Sequence, residues 1–278
     1  MALETITDNL HDGYKQLKKG TFRSSEQIQT ERMNDEELRG RYLYTANVAA
    51  YEHAKDGSVS FFLGDDVAFE SVIGSENIGQ FCNDLLNKGN HTLSDSQVKK
   101  LSELDKKHIV KVKYDDLRLE DQASEYGFLK IDTNNLDALN DSEKALVKMV
   151  HGNDYNKKMK MLSDSGIEHT GIYMLSENYV KNNVEKGSSI ARAGWLYIFF
   201  SNSNFNANDG NVANGYGLRG VNNSDAVGDG VNANVSEQTQ KYTPAGIIEY
   251  FDKNPIKDLG LANKLMDKLN EFYQSLKQ

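Results

Sequence analysis

The sequence predicts an α+β fold, mainly helical, and the prediction rests on three features. Helix-capping residues followed by apolar residues at three- and four-residue steps recur along the chain. Short apolar runs interrupt them only in the middle. A long Asn/Gly-rich tract, 201–236, then separates this body from an amphipathic terminal segment, so both ends are read as amphipathic helices.

Leu3, Ile6, Leu10, Tyr14 and Leu17 fall on one stripe and predict an N-terminal helix that stops at Gly20. A second helix follows Ser24-Ser25. Asn34-Asp35-Glu36-Glu37 opens a third, which carries Leu38, Tyr42, Ala46, Ala49 and His53 to Asp56-Gly57. Ser58 to Leu63 reads as the first strand. Ser75 to Gly89 and the capping box Ser94-Asp-Ser-Gln97 then each mark a helix. Val110, Val112 and Tyr114 alternate with Lys111 and Lys113, the pattern of a half-buried strand, and 128–131 is expected to pair with it. Helices follow over 141–151 and from Tyr155 to Leu162. After the ambiguous run 172–175, Ser176 caps another, which ends near Gly187.

After Ser188 the character changes. Residues 190–200 predict a buried strand, and 201–236 is a long loop or a meander of short strands, rich in turn-forming residues. Thr243-Pro244 and Asn254-Pro255 each pair a cap with a proline at the first helical position. The last helix sets Leu259, Ala262, Met266, Leu269, Tyr273 and Leu276 on a narrow heptad-like seam suited to packing on another helix. The expected organisation is a mainly helical core over 1–187, a β- and loop-rich segment over 188–242, and C-terminal helices over 243–278 that pack on the core or on a partner.

Composition narrows the function classes. A net charge of −9 argues against general binding to nucleic acid. The longest apolar run, Trp195 to Phe200, is far short of the ~20 residues of a membrane span. The first residues have neither a basic n-region nor an apolar h-region, so no signal peptide is expected. The single cysteine, Cys82, excludes an internal disulfide and Cys-cluster zinc sites and reads as a buried small hydrophobe. The expected location is cytoplasmic or within an assembled particle.

Tests for chemistry give little. Gly215-Tyr-Gly217-Leu-Arg-Gly220 spells GxGxxG but lacks the flanking strand and helix that a dinucleotide site needs. The six histidines are scattered, and no metal site or cofactor is expected. Asn204-x-Asn206-x-Asn208-Asp209-Gly210 places its glycine one position too late for an EF-hand loop, and no glutamate closes it. His151, Asp154, His169 and Tyr173 are the residues that could form an unrecognised enzyme site.

Arg192-Ala-Gly-Trp195, the Asn-rich stretch after it, and Gly217-Leu-Arg219-Gly-Val221 resemble the closing segment of C-type-lectin-like domains related to formylglycine-generating enzymes. About thirty residues carry the resemblance, with Leu218 standing where an aromatic is usual. It implies a ligand-display loop with the arginine holding the core, and a ligand- or glycan-binding module that uses Trp195, Asn208, Asp209 and Arg219.

The leading functional expectation is a non-enzymatic structural or interaction subunit that self-associates or joins a larger assembly, such as a virus particle. The lectin-like module and the enzyme around His151 and His169 are the alternatives. The expected partner is a protein or a second copy of the chain, with no nucleic acid and no membrane.

Overall fold

The computed structural model describes residues 3–223, apart from 124, 198, 200–202, 210, 211, 214 and 215. The C-terminal seam from Leu259 to Leu276 lies outside the described residues. The described residues fall in one compact unit, Met1–Asn223.

In chain order its elements are β1 (Glu4–Thr7), α1 (Leu10–Gln16), α2 (Ser25–Arg32), α3 (Glu36–Arg39), β2 (Leu43–His53), β3 (Val59–Gly64), α4 (Asp66–Val72), α5 (Gly74–Lys88), β4 (His91–Thr92) and α6 (Asp95–Glu103). There follow β5 (Ile109–Lys113), β6 (Leu119–Ala123), β7 (Tyr126–Asp132), α7 (Asp141–His151), α8 (Tyr155–Asp164), β8 (His169–Leu175), α9 (Glu177–Asn183), β9 (Ser188–Leu196), β10 (Phe205–Asp209) and β11 (Gly217–Gly220).

The mainly helical expectation is overturned. The unit is organised by one mixed sheet of 11 strands, with main path β1-β11-β2-β9-β10-β8-β7-β6. The strand β3 bridges β2 and β5, and β4 pairs with β9. Parallel pairing joins β10 to β8 and β11 to β2, while the other pairs are antiparallel.

The largest error concerns β2, expected as helix. All but one of its residues are buried, because α1, α4, α5 and α6 contribute to the core on one face and α2, α7 and α9 to the core on the other. A strand covered on both faces has no polar alternation to show, so its apolar residues also satisfied a helical spacing. At the N-terminus the helical stripe is real only from Leu10. Residues 4–7 instead form an edge strand on β11, a partner more than 200 residues away. Likewise β7 pairs with β6 and β8 rather than with β5.

Helices with local signals form where they were expected. Ser24 and Gln27 make a capping box for α2, Ser94 and Gln97 for α6, and Asn140 and Glu143 for α7. Gly89 ends α5 with φ +73°, a left-handed turn that costs glycine least.

Candidate functional site

Residues paired directly across neighbouring strands point to the same face of a sheet. The register therefore sets one row across six strands: Tyr44 opposite Trp195, Trp195 opposite Asn206, Asn206 opposite Tyr173, Tyr173 opposite Phe128, and Phe128 opposite Glu120. The core beneath the helical layer reaches this row only at Tyr44 and Trp195, and no buried residue of β7, β8 or β10 joins it. The other side of those strands is apolar, with Leu129, Ile172, Met174, Phe205 and Ala207 in the second core.

Aromatic rings extend the row. Trp195 stacks on Tyr197 with centroids 4.4 Å apart, and Tyr216 stacks on Tyr42 at 5.5 Å. Trp195 also meets Tyr216 at 5.0 Å, and Phe128 meets Tyr173 at 4.5 Å. Tyr42 and Tyr126 are each 38% exposed, whereas Trp195 is only 7% exposed. Rings in such a cluster gain from offset and edge-on packing while still offering their outer surfaces to a ligand.

A groove of about 370 Å³ lies along the row, lined by Tyr126, Tyr173, Arg192, Trp195, Tyr197, Asn206 and Asn208. Asn206 organises its centre. Its Oδ1 accepts from the backbone N–H of Asn208 at 2.8 Å, and its side chain hydrogen-bonds Tyr197. Burial pushes the Tyr197 hydroxyl above the usual tyrosine range and the neighbouring Tyr173 adds to this, while the Asn206 bond opposes it. The Trp195 indole N–H has no hydrogen-bond partner among the described residues.

Two buried arginines hold this region. Arg32 is fully buried and donates to the carbonyls of Leu38 (3.1 Å), Tyr197 (2.9 Å) and Arg41 (2.6 Å), thereby tying down the backbone beside Tyr42 and at Tyr197. Desolvation lowers its pKa to about 9. Arg192, on β9, donates through Nε to Asn90 Oδ1 (2.8 Å), through Nη1 to the Asn208 carbonyl (2.7 Å) and through Nη2 to the Tyr179 hydroxyl (3.1 Å).

The residues named from the sequence separate. Trp195 and Asn208 line the groove. The backbone of Asp209 pairs with Ala193 at the end of β10. Arg219 lies outside the groove, where Nε donates to Glu31 Oε2 at 2.8 Å and Nη1 to Thr5 Oγ1 at 3.2 Å, joining β11 to α2 and β1. Gly217 and Gly220 stand in β11 rather than in a phosphate loop; a Cβ on Gly217 would meet Leu43 at 2.6 Å and Thr5 at 2.8 Å.

The histidine constellation does not assemble. His151 is fully buried with both ring nitrogens unpartnered among the described residues, while His169 is exposed at the start of β8. Tyr173 belongs to the aromatic row instead. No group of three or more His, Cys, Asp or Glu side chains that could hold a metal occurs among the described residues. None of the described helices is long and apolar enough to cross a membrane.

Sequence reasoning missed Tyr42, Tyr126, Tyr197, Asn206 and Arg192. The signal was present: Asn204, Asn206 and Asn208 alternate with Phe205 and Ala207, the period-two pattern of a strand with one polar face. Tested as a calcium loop, that alternation shows nothing.

No family model matches the sequence, and no curated protein does. One solved structure, described as the accommodation of massive sequence variation in Nanoarchaeota by the C-type lectin fold, aligns with 79% of this chain and 94% of its own. The identity is 12% and the TM-score 0.50. At that identity the likeness speaks for the fold alone: the chain has a C-type-lectin-like architecture, the same fold whose closing segment residues 192–221 resemble.

Proposed function

We propose that this chain is a recognition protein on a C-type-lectin-like scaffold, and that the groove along the row from Trp195 through Asn206 to Tyr173 is its ligand face. The observation that carries the reading is the division of β10. Its Phe205 and Ala207 are locked into the core, while Asn206 and Asn208 line an open aromatic groove. Tyr, Trp, Asn and Gly are the residues from which protein-binding paratopes are built, because rigid aromatics give contact area at small entropic cost and amides adapt their hydrogen bonds. The partner is therefore a protein surface.

The solved structure with the similar fold is described as accommodating massive sequence variation. That description supports a reading in which the groove side chains of this chain vary while the two cores beneath stay constant. The interaction subunit expected from the sequence becomes, in this reading, a recognition subunit.

Randomising Tyr126, Tyr173, Tyr197, Asn206 and Asn208 together in a displayed library tests it. Most members are expected to stay folded and to melt within about 10–20 °C of the parent, the cost of five substitutions at about 1 kcal/mol each, with Asn206 and Asn208, which are buried, contributing most of it. Selection on an arbitrary folded protein should yield binders. Widespread unfolding would sink the reading, if matched randomisation of Lys99, Glu103 and Lys107 is tolerated. Binding confined to a glycan array would transfer the face to the lectin-type alternative.

A further inference from the structure

Resting on that reading, we infer that the groove carries an anion subsite built on Arg192, and that the segment it receives is a peptide presenting a carboxylate. Arg192 is 7% exposed and lines the groove. Its hydrogen-bond partners among the described residues are all neutral: an amide oxygen, a carbonyl and a phenol. The guanidinium also lies 5.8 Å from the centre of the Tyr179 ring. No carboxylate pairs with it among the described residues, although the chain is acidic overall and nearly every other arginine has one or is sealed away. Arg23 and Arg219 share Glu31, Arg39 faces Glu36, Arg41 holds Glu37 and Arg118 holds Glu143. Arg32 alone among them also lacks an acid, but its three carbonyls close it off and it does not line this groove.

A guanidinium has five N–H donors, and the three bonds above engage one on each nitrogen. One N–H on Nη1 and one on Nη2 are left for a ligand oxygen, and a charge-assisted bond to a carboxylate is the strongest use of them. The surroundings favour it. A partly desolvated cation fixed by Asn90, Asn208 and Tyr179 is already oriented, so a ligand anion meets a charge that needs no further ordering. The aromatic side chains beside it exclude water, which strengthens the pair. The ligand is thus a peptide whose acidic side chain or free C-terminus reaches Arg192 while neighbouring residues pack on Tyr126 and Tyr173, the more exposed rings of the groove.

Two measurements test this on the intact chain. In the first, wild-type protein is titrated with acetate and, separately, with the neutral isostere acetamide. The readouts are the Arg192 Nε–H resonance and the indole signal of Trp195, the single tryptophan in the chain. Acetate should shift both saturably and acetamide should not; equal responses, or none, overturn the subsite without recourse to a variant.

In the second, a random peptide library is selected on the wild type. Enriched peptides should carry a carboxylate whose amide replacement weakens binding at least about tenfold, the loss of one charge-assisted bond, on the wild type but not on Arg192→Gln. Enriched peptides that need no carboxylate, yet lose binding on Tyr173→Ala, overturn the subsite and leave the groove reading standing. Peptides indifferent to Tyr173→Ala overturn the groove reading itself. Arg192-dependent capture of acidic glycans, with no acidic peptides enriched, overturns the peptide assignment.

Discussion

Acidification should destabilise this fold through His151, by an amount the structure sets. The ring is fully buried at the end of α7 with neither nitrogen hydrogen-bonded among the described residues. Desolvation lowers its pKa from 6.5 to about 3, and the cations Lys158 and Arg32 push the same way. The unfolded chain therefore takes up a proton near pH 6.5, whereas the folded chain refuses it until about pH 3. Between those values the unfolded state binds more protons, so stability falls as pH falls. From pH 7 to pH 5 the loss assigned to this one residue is about 2 kcal/mol, some 1.5 units at ~1.4 kcal/mol each.

The assay is urea unfolding followed through Trp195, at both pH values, for the wild type and His151→Leu. Leucine has a similar volume and no proton to gain, so the variant should lose about 2 kcal/mol less than the wild type between pH 7 and pH 5. Carboxylates titrate in both proteins and drop out of the difference. At pH 7 the variant should be at least as stable, because the unpaired buried ring nitrogens are gone. Equal acid losses in the two proteins would refute the reasoning.

Three further outcomes follow from the packing. Arg32→Met removes the guanidinium from the carbonyls of Leu38, Arg41 and Tyr197, of which Leu38 keeps a backbone donor, and relief from desolvating a cation offsets only part of that; calorimetry should show a loss of about 2–3 kcal/mol. Gly171→Ala places a Cβ 2.4 Å from the Phe128 ring and 2.3 Å from the Leu129 carbonyl. It should cost about 1–3 kcal/mol by overpacking and should separate the Phe128 and Tyr173 rings, seen as lost ring-to-ring cross-peaks in the NMR spectrum. Arg219→Ala removes the bonds to Glu31 and Thr5; it should lower stability by about 1–2 kcal/mol while leaving binding of groove-selected peptides unchanged, and weakened binding would return Arg219 to the ligand face.

What the sequence determined by itself is where its helices begin and which short runs alternate. Ser24, Ser94, Asn140 and Ser176 cap helices whose first bonds lie within one turn, and β5 shows its lysines to water on alternate residues. Such signals need no distant partner. The strand β2 was illegible because helices cover both its faces, leaving no polar stripe to distinguish strand from helix. The candidate site was illegible for a different reason. Trp195, Asn206, Tyr173 and Phe128 become neighbours only through the antiparallel β9–β10, parallel β10–β8 and antiparallel β7–β8 pairings. Register across strands is a property of the whole sheet, and one step of slip would turn every one of those side chains to the opposite face. Tertiary structure alone therefore decided that an alternation of asparagines is the floor of a groove, and that Arg219, named beside Trp195 in the sequence, belongs to the framework.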